Sequence, residues 1–250
     1  MSFDIEPARF IKRISVGGGF PSDRYPFDLP VVEFLAESGG LTLPAGATFF
    51  VGENGSGKST LIEAIAVTAG MNAEGGSENY RFATRATESD LADHLFLTWG
   101  TSKPRSRFFL RAESFYNVAT ATEELGPDQL AVFGGVSPHE RSHGESFVDL
   151  IRSRFFPGGL YVMDEPEAAL SPQGCLTVIA LMADLIADGS QFVVATHSPM
   201  LLALPGATIY AIDDDGEIVQ VDYDDAPSVR LTRDFLGKPD RYLRHLLAPD

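Results

Sequence analysis

VGENGSGKST, residues 51–60, decides how the rest of the chain is read. Residues 52–59 fit the pattern G-x-x-x-x-G-K-[ST] in full. The run before them, ATFFV (47–51), is apolar and stops at a glycine, as a buried strand does. The run after them, STLIEAIAVTA, sets Leu61, Ile62, Ile65 and Ala66 at helical spacing. Strand, glycine loop and helix in that order make an anion cradle. Glycines let several backbone N–H groups turn toward phosphate oxygens, and the helix start adds its positive end. Gly52, Glu53, Asn54, Gly55, Ser56, Gly57, Lys58, Ser59 and Thr60 are therefore expected to hold a nucleotide. Lys58 is expected on the β- and γ-phosphates and Ser59 on Mg²⁺.

Working outward, LYVMDEPE (160–167) is an apolar run ending in carboxylates. Such a strand delivers its acids to the carboxyl edge of a sheet, beside the phosphate loop. Asp164 suits the Mg²⁺ site and Glu165 suits polarisation of an attacking water. QFVVATHSP (191–199) is a third strand of this kind, ending in Thr196, His197 and Ser198. A lone histidine at a strand end is more often structural. Beside the other two elements, His197 becomes a contact for the γ-phosphate. SHGES (142–146) precedes the apolar pattern of a helix. Ser142 there is either an ordinary N-cap or part of a site.

The remaining pattern is that of an α/β chain with a largely parallel core sheet. FIKRISV and PFDLPVVEFL read as short strands, with Gly17 to Gly19 as a turn. SDLADHLFL (89–97) reads as a short helix capped by Ser89, and RFFLRAESFY (107–116) as a strand. Residues 70–80 read as a loop, and 118–138 as helix and loop. Residues 144–156 form a helix, and so do 171–189, with Ser171 as cap and Pro172 in the first turn. ATIYAI and EIVQVDY pair as a hairpin around DDDGE, and a helical tail follows.

Composition narrows the setting. The 250 residues carry a net charge of −16, which opposes bulk nucleic-acid or anionic-membrane binding. Two short segments run the other way, TSKPRSRFFLR (101–111) and VRLTRDFLGKPDRYLRH (229–245); they are solvated faces or places for a nucleic-acid contact. The single cysteine, Cys175, lies in an apolar run and reads as a buried thiol. MSFDIEPARFIKR lacks the apolar core of a signal peptide, and no stretch is apolar enough to span a bilayer. A cytoplasmic location without membrane insertion is expected.

GENGSGKST, MDEPEAALS and ATHS, at these intervals, resemble the ABC-type ATPases. ENGSGKS and LIEAIA look most like the branch that holds chromosome-maintenance and recombination-repair ATPases. The chain as a whole is similar to small stand-alone bacterial ATPases with FRAESF-like, SHGES-like and DEPEAALSP-like segments. The resemblance implies a P-loop NTPase with an ABC-type head: a mostly parallel core sheet, an antiparallel β part and a short helical subdomain. That subdomain falls at about 85–155 within a single domain, 1–250. It also implies ATP and Mg²⁺ as ligands, ATP hydrolysis, and a nucleotide-dependent homodimer. SHGES takes the place of the family's signature loop, so Ser142 and Gly144 would meet the nucleotide held by a second copy.

The chain departs from that family in several places. His143 replaces a small residue of the signature. Ser171 stands where the D-loop normally ends in aspartate. Glu113, in RAESFYN, stands where a glutamine would be, and could bind metal or water with a charge. The adenine-stacking aromatic is Tyr25 or Phe27, unless these are core residues. The interval of 84 positions from Lys58 to Ser142 shows no heptad pattern of the kind long coiled coils need. Three roles stay open: a switch acting with a soluble effector in DNA repair or phage defence, the ATP-binding subunit of a transporter, and a slow regulatory ATP sensor.

Overall fold

The apolar runs around the glycine loop become the middle of one sheet. In the computed structural model, which describes residues 9–73, 90–113 and 143–247, the chain runs in this order. β1 (Ile11–Val16), α1 (Pro30–Glu37), β2 (Leu41–Thr42), β3 (Ala47–Gly52) and α2 (Lys58–Thr68) come first. α3 (Leu91–His94), β4 (Leu95–Trp99) and β5 (Arg107–Arg111) follow. Then come α4 (His143–Arg154), β6 (Leu160–Asp164), α5 (Pro172–Ala187) and β7 (Gln191–Ala195). β8 (Thr208–Ile212), β9 (Ile218–Val221), α6 (Pro227–Gly237) and α7 (Pro239–Leu246) complete the described chain.

The core sheet has six strands in the order β5-β6-β7-β3-β8-β9. All neighbours are parallel except β8 and β9, which form the expected hairpin. Successive side chains on a strand face opposite ways, so this sheet feeds two cores. Phe50, Phe109, Val162 and Val193 pack on one side with α1, α2 and the small antiparallel sheet β2-β1-β4. Phe49, Phe108, Tyr161 and Phe192 pack on the other with Phe147 and Ile151 of α4 and Val178 of α5. Covering both faces is what lets the strands be apolar throughout.

Ser171 caps α5 as expected: its Oγ accepts from the N–H of Gly174 at 3.1 Å. Cys175 is buried. Among the described residues, no helix is long and apolar enough to cross a membrane.

Three expectations need correction. PFDLPVVEFL is not a strand: α1 begins at Pro30, which suits a first turn, and buries Val31, Val32 and Leu35 on one face. Those three positions fit a helical stripe better than alternation. SDLADHLFL is helical only over Leu91–His94, with no side-chain cap from Asp90, and Ser89 lies outside the described residues. Leu95–Trp99 pairs antiparallel with β1 instead, because β1 offers a free edge and Leu95 can enter the core. RFFLRAESFY is a strand only to Arg111; Ala112 and Glu113 turn helical. Within the stretch 85–155, expected as a helical subdomain, Leu95–Trp99 and Arg107–Arg111 are strands and His143–Arg154 is a helix, while residues 85–89 and 114–142 lie outside the description.

Gln191 ties the sheets together. Its Oε1 accepts from the N–H groups of Phe10 and Ile11 at 2.7 and 2.9 Å. Its Nε2 donates to the carbonyls of Ile11 and Pro44 at 2.9 and 3.1 Å. The side chain is fully buried and all its polar capacity is used.

Candidate active site

β5, β6, β7 and β3 are neighbours and parallel, so their carboxyl ends share one edge of the sheet. That edge is where ligands bind in open α/β sheets. Gly52 ends β3 and the loop turns directly into α2, which starts at Lys58. Gly57 precedes the helix with φ 86°. A side chain there would be strained, and its Cβ would lie 2.6 Å from Val31 Cγ1. No side chain caps the first turn of α2, so its N–H groups remain available to an anion.

Lys58 lies under this loop. Its Nζ donates to the carbonyls of Gly52 and Glu53 at 2.9 and 2.8 Å. Burial pushes its pKa below the usual lysine value, and the nearby charges of Glu165, Asp164, Glu53 and Glu167 oppose that push. Ser59, the next residue, donates from Oγ to Asp164 Oδ1 at 3.0 Å. Asp164 ends β6 and is buried. Burial pushes its carboxyl up to about 6; Arg111 and the Ser59 hydrogen bond pull the other way, and Glu165 and Glu113 add to the rise.

Glu165 follows with φ 46° and ψ 51°, and is the non-glycine residue with positive φ among those described. Left-handed backbone is costly for a glutamate, and such strain concentrates at functional sites. Its amide still donates to Ala195 of β7 at 3.0 Å, which locks the turn to the sheet. Its Oε1 lies 3.6 Å from His197 Nε2, within ion-pair range but too long for a hydrogen bond. His197 sits just beyond β7, and its amide donates to Glu167 Oε1. Among the described residues, His197 Nε2 and Glu167 Oε2 are buried atoms without a hydrogen bond.

The structure thus brings Lys58, Ser59, Asp164, Glu165 and His197 together. Tyr25 is 63% exposed, and its hydroxyl lies 3.0 Å from Thr60 Oγ1, beside the phosphate loop. Phe27 is a core residue instead, packed between Phe20 and His94 with ring centroids 5.0 and 5.1 Å away. Glu113 is exposed just past β5 and acts on Asp164 through its charge. Ser142 lies outside the described residues. Gly144, in the first turn of α4, faces the segment after Asp164: a Cβ on it would lie 3.4 Å from the carbonyl oxygen of Ala169.

Sequence reasoning missed three charged groups here. Glu167 is the last acid of DEPE, and its bond to His197 depends on tertiary contact. Glu63 carried a local signal, as an acid in the apolar run LIEAIA four residues after Ser59. Arg111 carried none, since a basic strand end reads as solvated.

Residues 27–113 match a family described as an AAA domain. The ribose import ATP-binding protein RbsA of Rhodococcus jostii (strain RHA1) is 28% identical over 173 residues, 59% of this chain and 33% of that protein. The chain therefore matches about a third of that relative's length. The cytochrome c biogenesis ATP-binding export protein CcmA of Salmonella typhi is 29% identical over 163 residues, 62% of this chain and 76% of that protein. Among solved structures, the SMC head domain from Thermotoga maritima superimposes with a TM-score of 0.45 at 16% identity, covering 86% of this chain and 100% of that one. A nucleotide-free ATP-binding cassette from an ABC transporter gives a TM-score of 0.47 at 16% identity, covering 93% and 97%. The sequence relatives are ATP-binding proteins, the phosphate loop is complete, and the acids and histidine stand beside it: over these stretches the chain is similar to ATP-binding proteins of the ABC type.

Proposed function

We propose that the chain hydrolyses ATP with Mg²⁺ and uses the nucleotide to close two copies head to tail, as a switch acting on a separate soluble partner. The carrying observation is the convergence of Ser59, Asp164, Glu165 and His197 beside the Lys58 loop. The donors suit a hard divalent cation: Ser59 Oγ and Asp164 Oδ1 are oxygens 3.0 Å apart, next to a loop built for phosphate. When bound there, Mg²⁺ supplies charge neutralisation to the β- and γ-phosphates.

The protein's own groups divide the work. The loop N–H groups and Lys58 hold the phosphates, which requires Nζ to leave the carbonyls it now meets. Glu165 orients the attacking water and takes its proton as the water oxygen bonds the γ-phosphorus and the bond to ADP breaks. His197, aligned by Glu167, bonds the γ-phosphate and keeps Glu165 in place. Ser142 and Gly144 of the second copy complete the site from the far side, with the dipole of α4 behind them. The likeness of ENGSGKS and LIEAIA to the chromosome-maintenance branch supports a role with an effector in DNA repair or phage defence. A location in the cytoplasm accords with that role.

Light scattering on Glu165→Gln, with and without ATP and Mg²⁺, tests this together with wild-type turnover. The expected result is a dimer only with nucleotide, abolished by Ser142→Arg. A nucleotide-bound monomer at high concentration would sink the two-copy site. The names of the two sequence relatives favour a second reading, the ATP-binding subunit of a transporter. That reading requires the protein to dock a membrane subunit. Turnover too slow to follow, with tight ATP binding, would instead favour the sensor role that Ser171 and Glu113 suggest.

A further inference from the structure

Arg111 lies against the carboxylate of Asp164 as well. β5 and β6 run parallel with Arg111 registered opposite Asp164. From there the guanidinium meets two acids. Nη1 donates to Glu63 Oε2 at 2.7 Å, and Nε lies 3.3 Å from Asp164 Oδ2, an ion pair without a hydrogen bond. Asp164 Oδ1 is meanwhile held by Ser59 at 3.0 Å. The two oxygens of Asp164 therefore have different partners, one turned to Arg111 and the other to the phosphate loop.

Glu63 lies one helical turn after Ser59 on α2, so both share a face of that helix. Arg111 thus links the helix that carries Ser59 to the strand that carries Asp164. The link is partly desolvated: the side chains of Glu63, Asp164 and Arg111 are 11%, 5% and 23% exposed. Shielded from water, such contacts fix orientation far better than surface pairs do. A planar fork can address two carboxylates at once, whereas an ammonium acts as a point charge.

We propose that Arg111 is a positioning residue for the cation: hydrogen-bonded to Glu63, it draws Asp164 Oδ2 toward its charge, leaves Oδ1 toward Ser59, and so sets how much Mg²⁺ strengthens nucleotide binding. The proposal rests on the ATPase reading. Residues behind a metal ligand typically change metal affinity about 10–100-fold when removed.

The test is binding of a fluorescent ATP analogue in excess Mg²⁺ and in EDTA, for wild type, Arg111→Gln, Arg111→Lys and Glu63→Gln. The readout is the ratio of the two affinities, which a merely structural role would leave alone. Arg111→Gln is expected to cut that ratio at least about tenfold while leaving the EDTA affinity within about twofold. Arg111→Lys is expected to restore only part of it. Glu63→Gln should shift it the same way, and the double variant should be no worse than Arg111→Gln, because both changes break one link. A folded Arg111→Gln with the wild-type ratio would overturn the proposal, as would equal losses with and without metal. If Arg111→Gln does not fold by thermal unfolding, an unchanged ratio in Arg111→Lys overturns it instead. Wild-type protein that binds the analogue no better with Mg²⁺ would overturn the ATPase reading, and this inference with it.

Discussion

Asp164→Asn should make the nucleotide-free protein more stable at neutral pH. The carboxyl is buried, and its pKa rises from 3.8 to about 6 in the folded state. Between those values the folded protein keeps a proton that the unfolded chain has lost. Stability is therefore highest below the unfolded value, declines as pH rises through the window, and levels off above the folded value. The full cost of the charge, from a shift of about two units, is of order 3 kcal/mol. Asparagine carries no charge, keeps an oxygen for Ser59 and preserves the shape. The expected gain at pH 7.5 is about 1–3 kcal/mol, or roughly 2–12 °C in Tm for a chain of this size. Calorimetry in EDTA from pH 4 to 8 should show wild type and variant converging at the acid end. Adding ATP and Mg²⁺ should reverse the order, since only the aspartate can use the cation. A variant less stable than wild type at pH 7.5, or a difference that is flat with pH, would refute the reasoning.

Other perturbations follow from single contacts. Gln191→Leu leaves two N–H groups and two carbonyls without their partner, so it should cost roughly 3–5 kcal/mol and speed amide exchange at Phe10 and Ile11. Gly57→Ala forces a left-handed alanine against Val31, and should lower stability by about 2 kcal/mol in denaturant melts and weaken ATP binding. Ser171→Ala removes the cap of α5 and should cost about 1 kcal/mol in the same melts. Tyr25→Ala should weaken ATP binding about tenfold by titration while Tyr25→Phe changes it little, because stacking needs the ring; equal effects would assign the role to the hydroxyl bond with Thr60.

The groups that converge in the candidate site lie in residues 47–60, 160–167 and 191–199, where the sequence pattern already pointed. In each, an apolar strand ends in chemistry-bearing residues, and a buried parallel strand can present such groups only at its end. Locally encoded features were legible too: the cap at Ser171, the helix after the loop and the β8–β9 hairpin depend on residues a few positions apart. Tertiary structure decided the rest. Residues 95–99 became a strand because β1 had an edge to pair, and a free edge is invisible in the residues that fill it. Phe27 went to the core and Tyr25 to the loop, although both are aromatics in one short stretch. The strain at Glu165 arises from a turn held by Ala195, thirty residues on. Arg111 was assigned a partner only by the register of β5 against β6, which places it opposite Asp164, and by the rotation of α2, which brings Glu63 to meet it. Sequence alone pointed to the chemistry proposed for this chain, because its candidate groups lie in short contiguous motifs. Only the tertiary structure decided how the groups hold one another, because charge pairing acts through space between residues that the chain keeps far apart.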